Sequence, residues 1–99
     1  MCVYQPVENQ KRSQTITLRI VNELGLHARS AAKLAKIAEE ANGGVWIMKD
    51  GNTADAASML DILTLACPQG AKVAVSIDDK SDMHILERIA ALIRSGFGE

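Results

Sequence analysis

An imidazole and a guanidinium stand two positions apart in the stretch Gly25-Leu26-His27-Ala28-Arg29-Ser30-Ala31-Ala32, where an Ala- and Leu-rich amphipathic segment begins. Helix starts normally use Ser, Thr, Asp or Asn, whose short side-chain oxygens satisfy the first unpaired backbone N–H groups. His27 is not expected to be a cap of that kind. With a helix starting here, free N–H groups and the positive end of the macrodipole surround the ring, and Arg29 adds its charge close by. That setting suits a neutral, nucleophilic imidazole and also stabilises a dianionic phosphoryl group attached to it. Arg29 can donate to phosphoryl oxygens through its planar fork, the cationic clamping that phosphoryl transfer requires. The chemistry expected is a phosphohistidine at His27, with a phosphate that is labile in acid, stable in base and lost on His27→Ala.

Position alone also fits a loop histidine or a hydrogen-bonded core group, and Gly25 also serves simply to turn the chain into the helix. His84, early in a later helical stretch, reads as a solvated surface residue. Lys33 and Lys36 lie about one turn further along the same segment. They read as a solvated helix face able to steer acidic partners.

The segment Asn22-Glu23-Leu24-Gly25-Leu26-His27-Ala28-Arg29 resembles the active-site motif of the histidine-containing phosphocarrier (HPr) family of the phosphoenolpyruvate-dependent phosphotransferase system. A second match lies downstream: Asp50-Gly51-Asn52-Thr53, Ala57-Ser58-Met59-Leu60 and Gln69-Gly70-Ala71-Lys72-Val73 are similar to that family's central hairpin, regulatory-serine helix and final strand. The resemblance implies a carrier, not a stand-alone enzyme. His27 receives phosphate at Nδ1 from the phosphorylated histidine of Enzyme I and passes it to an acceptor protein of the IIA type. The same resemblance makes Arg29 the phosphate-stabilising arginine, and the N–H groups of Ala28, Arg29 and Ser30 at the helix start are expected to stabilise the phosphate with it. No metal or organic cofactor is indicated, a cytoplasmic monomer is expected, and a serine kinase or transcriptional regulator is a further expected partner.

Two departures stand out. Family members usually carry proline after the His-Ala-Arg triplet, where this chain has Ser30; serine restores a backbone donor and adds a hydroxyl expected near the phosphate. Ser58 matches a serine that a kinase phosphorylates in some bacteria, but Ala57 stands where those bacteria often have lysine. The closing run Ala90-Ala91-Leu92-Ile93-Arg94-Ser95-Gly96-Phe97 is similar to the tail of the nitrogen-related branch of the family.

Composition agrees with a small protein-binding domain. The 99 residues are 47% hydrophobic with one Trp, one Tyr and one Phe, so the core must be aliphatic. Eleven basic and twelve acidic residues leave a net charge of -1, which gives no general attraction to nucleic acid or to anionic membranes. Cys2 and Cys67 suggest neither a disulfide scaffold nor a Cys-x-x-Cys metal site, and Cys67 is expected to be a buried free thiol. There is no signal-peptide pattern and no apolar run long enough to span a bilayer.

The elements that must hold His27 follow from periodicity. Residues 1–13 read as a flexible extension, and residues 14–99 as a single domain. Ile16, Leu18 and Ile20 alternate in a strand, and Ala31, Leu34, Ala35, Ala38 and Ala41 form one stripe of a helix that Asn42-Gly43-Gly44 ends. Val45–Lys49 and Thr53–Ala56 read as strands joined by an Asp50-Gly51 turn. Ser58 with Asp61 reads as a capping box, Val73, Val75 and Ile77 as a strand, and Ser81-Asp82 as the cap of a last helix burying Met83, Leu86, Ile89, Ala90 and Ile93. The order β-α-β-β-α-β-α predicts an α+β fold, an open-faced β-sandwich with a four-stranded antiparallel sheet and three helices on one face.

Met59, Leu60, Ile62, Leu63, Leu65 and Ala66 crowd the short helix with apolar side chains, more than one buried stripe accommodates. The resemblance places Met59, Leu60 and Leu63 beside His27 as a partner-docking surface, while burial in the core is the plainer reading of the same residues. Two other functions share the fold: a regulatory HPr-like protein whose phosphorylation state controls its partners without sugar transport, and a split β-α-β module for a small ligand or RNA. Low aromatic content and the lack of a basic stripe weigh against RNA.

Overall fold

The structure, a computed structural model, describes residues 14–99; the expected extension over residues 1–13, with Cys2, lies outside the described residues. Strands β1 (Gln14–Arg19), β2 (Val45–Lys49), β3 (Asn52–Asp55) and β4 (Lys72–Ile77) alternate with helices α1 (Ala28–Ala38), α2 (Met59–Leu63) and α3 (Met83–Arg94) in the order β1-α1-β2-β3-α2-β4-α3. The strands form one sheet in the order β1-β4-β2-β3 with every neighbouring pair antiparallel. This is the open-faced β-sandwich expected from the sequence.

Register explains why one face is apolar. Leu18 pairs with Val73, Ile16 and Ile47 both pair with Val75, Val45 pairs with Ile77, and Ile47 also pairs with Ala54. The period-2 alternation of every strand therefore comes into phase on the face that the helices cover. α1 buries Ala31, Leu34, Ala35 and Ala38 there, and α3 buries Ile85, Leu86, Ile89, Ala90 and Ile93. Asp50 and Gly51 both have positive φ, 52° and 84°, the backbone of a tight hairpin turn whose twist matches the strands.

Several boundaries differ from the sequence reading. α1 stops at Ala38, before Asn42, and no left-handed glycine caps it. Gly44 answers a different need: a Cβ there would lie 2.6 Å from Asp78 Oδ2 and 2.8 Å from Trp46 Nε1. Asp82 is fully buried and makes no cap hydrogen bond to α3. Its carboxylate accepts instead from the Asn42 and Gly43 N–H groups, both at 2.9 Å, and so ties the turn after α1 to the start of α3. Asp79 caps the short turn Lys80–Asp82. Met83 is exposed, not core, and Ile85 takes the buried place. Ser58 caps α2 by accepting from the Asp61 N–H at 3.2 Å, but the box is not closed, because the Asp61 carboxylate accepts from the Asp55 N–H at 2.7 Å. Cys67 is buried and free, and burial pushes its thiol pKa up, against a smaller opposing pull from Lys49.

Candidate functional site

The approach to His27 is set by Gly25, which has φ +69°. A Cβ at this position would lie 2.4 Å from the Cys67 carbonyl oxygen, so only glycine lets the loop press against the Cys67–Pro68 backbone. The Gly25 N–H donates to Asn22 O at 3.1 Å and the Leu26 N–H donates to Cys67 O at 2.8 Å, which fixes the loop from both sides. Leu26 is buried, and the chain emerges at His27 in an extended conformation, φ -126° and ψ -175°.

His27 turns out to be the cap of α1, contrary to the expectation from residue type. Its Nδ1 accepts a long hydrogen bond, 3.3 Å, from the Arg29 N–H, and its carbonyl accepts from the Ala31 N–H at 2.8 Å. An imidazole lone pair does here what a serine or aspartate oxygen does elsewhere. The reciprocal half of the capping box comes from Ser30, whose Oγ accepts from the His27 N–H at 2.9 Å. Ser30 is fully buried, and its hydroxyl faces Gly25 O at 3.3 Å and His27 O at 3.1 Å. The hydroxyl is thus taken up by the loop-helix junction, where the sequence reading had expected it near a phosphate on His27; the Ser30 backbone N–H stays with those of Ala28 and Arg29 at the helix start.

The other ring nitrogen has a partner that no local pattern announces. Nε2 lies 2.5 Å from Glu99 Oε2, and Glu99 Oε1 accepts from Asn22 Nδ2 at 2.9 Å. Asn22 is buried and bonds Gly25 O at 2.8 Å as well, so one amide group holds both the loop and the carboxylate. The Asn22 hydrogen bond, with a smaller contribution from His27, holds the Glu99 carboxyl below its usual pKa although partial desolvation acts the other way. Glu99 is brought there by the turn Gly96–Gly98, in which Phe97 is fully buried and has φ +60°, and the Lys33 ammonium donates to Phe97 O at 2.7 Å. A shallow hollow results, lined by Leu24, His27, Ala28, Arg29, Lys33, Gly98 and Glu99.

Chemically this is a half-exposed imidazole with its Nδ1 lone pair turned to the N-terminal amides of a helix, an exposed arginine two positions further along the chain, and a carboxylate behind the ring. Among the described residues no group of three or more His, Cys, Asp or Glu side chains could hold a metal ion, and no helix is long and apolar enough to cross a membrane.

The structure separates the apolar residues of α2. Ile62 and Leu65 are core, Met59 and Leu63 are half-buried against it, and Leu60 is 72% exposed. Met59, Leu60 and Leu63 do not line the hollow at His27; the exposed apolar residue there is Leu24. Ser58 does not line it either; it is half-buried at the start of α2 with its hydroxyl used as a cap acceptor. Sequence reasoning missed Glu99 and gave Asn22 no role. The only sequence signal was the pair of glycines around Phe97, which marks a tight turn but not its destination.

Comparison with known proteins agrees with this geometry. The family described as "PTS HPr component phosphorylation site" matches residues 14–95. The phosphocarrier protein HPr of Cupriavidus necator is 35% identical over 80 residues, covering 81% of this chain and 90% of the relative. The phosphocarrier protein NPr of Escherichia coli is 33% identical over 84 residues, covering 84% and 93%. Among solved structures, HPr-C-His from Thermoanaerobacter tengcongensis superposes with a TM-score of 0.82 at 32% identity, covering 87% of this chain and 97% of that one.

Proposed function

The chain belongs to the HPr family of phosphotransferase-system phosphocarriers, and from that premise we propose that His27 takes a phosphoryl group at Nδ1 from phosphorylated Enzyme I and hands it to a IIA-type acceptor. The observation that carries the reading is the position of His27 at the cap of α1 with Nδ1 facing the helix amides. In the step, the Nδ1 lone pair forms a bond to phosphorus while the P–N bond of the donor phosphohistidine breaks and returns its electron pair to the donor ring. The phosphoryl oxygens then lie against the Ala28, Arg29 and Ser30 N–H groups and the positive helix end, with Arg29 closing over them. Because the group arrives on a protein, no pocket for phosphoenolpyruvate is needed. Leu60, with Met59 and Leu63 at its edge, supplies an apolar contact for donor and acceptor in turn, and carrier and partners work in the cytoplasm.

The deciding experiment incubates the protein with Enzyme I and labelled phosphoenolpyruvate and maps the label. Acid-labile, base-stable label on His27, absent from His27→Ala, is the expected result; label elsewhere, or none, overturns the reading. A second reading is a regulatory relay in which the phosphorylation state controls partner proteins, including a serine kinase acting on Ser58 or a transcriptional regulator. The 33% identity to an NPr, close to the 35% identity to an HPr, favours giving it a test. Turnover of phosphate to a sugar-specific acceptor supports the first reading, and stable binding without onward transfer supports the second.

A further inference from the structure

The carrier reading uses Nδ1 of His27 and leaves the contact behind the ring without a task. We propose that Glu99 is a positioning residue that keeps the proton on Nε2 of His27 throughout the phosphoryl cycle, making Nδ1 the nucleophile on arrival and a neutral imidazole the leaving group on departure. The proposal rests on the carrier reading of His27.

Two independent contacts select the same tautomer. A neutral imidazole has one N–H and one lone pair, a carboxylate can only accept, and a backbone N–H can only donate. Nε2 beside Glu99 Oε2 at 2.5 Å must therefore be the donor, and Nδ1 beside the Arg29 N–H at 3.3 Å must be the acceptor. Glu99 is itself built in. Its second oxygen is held by the buried Asn22 amide, the preceding Phe97 is fully enclosed, and Lys33 ties the Phe97 carbonyl to α1. The carboxyl is held below its usual pKa, first by the Asn22 hydrogen bond, so it is charged when the ring needs an acceptor.

The proton matters because of what must leave. When Nδ1 attacks phosphorus, the ring becomes a phosphoimidazolium that still carries its Nε2 proton. If that proton is lost to water, the next P–N cleavage must expel an imidazolide anion. If it is retained against Glu99, cleavage returns the electron pair to Nδ1 of a neutral ring. The charged groups that line the hollow with His27 are Arg29, Lys33 and Glu99. Arg29 and Lys33 bring positive charge to this hollow, and Glu99 is the one carboxylate among its lining residues.

The test compares the parent chain with Glu99→Gln and Glu99→Ala, whose folding is checked by melting temperature. First, nitrogen-proton NMR of the unphosphorylated ring is expected to show a protonated Nε2 and a bare Nδ1, with the Nε2 proton signal lost to solvent exchange in both variants. Second, the rate of transfer from the phosphorylated chain to a IIA-type acceptor is expected to fall by about tenfold or more at pH 8 in the variants and by less than about threefold at pH 6, where solvent supplies the proton. A parent ring protonated at Nδ1, or variant rates reduced equally at both pH values, overturns the proposal; equal reduction is what a merely structural Glu99 gives. If the parent chain never takes up phosphate, the carrier reading fails, and the ring spectra still decide whether Glu99 holds the proton.

Discussion

Ser30 provides the sharpest test, because it stands where the family usually has proline and because its hydroxyl is bound up in the junction between loop and helix. In Ser30→Ala the His27 N–H loses an acceptor at 2.9 Å in a part-buried junction, Ser30 itself being fully buried. Loss of half a capping box together with an unpaired, partly buried donor costs about 1.5 kcal/mol. For a domain of this size that lowers the melting temperature by roughly 6–12 °C. The N–H groups of Ala28, Arg29 and residue 30 survive the change. The rate of phosphoryl uptake, measured well below the melting transition, is therefore expected to stay within about threefold of the parent, less than the loss of one bond to a charged group. Ser30→Pro goes further and removes the third amide while keeping a helix-compatible first turn, so its uptake is expected to fall where that of Ser30→Ala does not. An unchanged melting temperature combined with lost uptake in Ser30→Ala would refute the reasoning, since the hydroxyl would then act on phosphate and not on the junction.

Three further outcomes follow from particular contacts. Leu60→Glu alters a side chain that is 72% exposed, so stability is expected to move by less than about 0.5 kcal/mol while transfer drops about tenfold or more; unfolding would instead make Leu60 a core residue. Gly25→Ala forces a side chain onto φ +69° and a Cβ to 2.4 Å from Cys67 O, at a cost of about 2–4 kcal/mol in denaturant unfolding, and an unchanged midpoint would mean the loop yields freely. Acid should loosen the fold through Glu99 and Glu40, whose carboxyls are held below the ordinary value of 4.5 by Asn22 and by Arg88 respectively. Folded values below unfolded ones mean that this stabilisation is complete above about pH 4.5 and disappears as pH falls through the folded values. Urea midpoints measured from pH 6 downward should decline, with a shallower slope in Glu40→Gln and Glu99→Gln; midpoints that rise on acidification would contradict the sign.

What the sequence determined by itself is whatever repeats over short distances. Alternation in Ile16-Thr17-Leu18 and Val73-Ala74-Val75-Ser76-Ile77 marks strands because successive side chains point to opposite faces, and Asp50-Gly51 fits a turn needing two positive φ angles. The proposed nucleophile could be picked out for the same reason: His27 and Arg29 lie close together at a helix start, and the dipole acts within the first turn. Tertiary structure decided the rest, because it rests on where distant elements come to lie. Glu99 meets His27 across 72 positions of chain only because Phe97 is buried and turns the backbone back toward Asn22. Asp82 looked like a helix cap and is a clasp between two segments 40 positions apart. On α2 the residue types were alike, yet Ile62 is enclosed and Leu60 faces solvent. Hydrophobicity states that a side chain prefers to be covered; only the packing of a short helix on its sheet determines which one is.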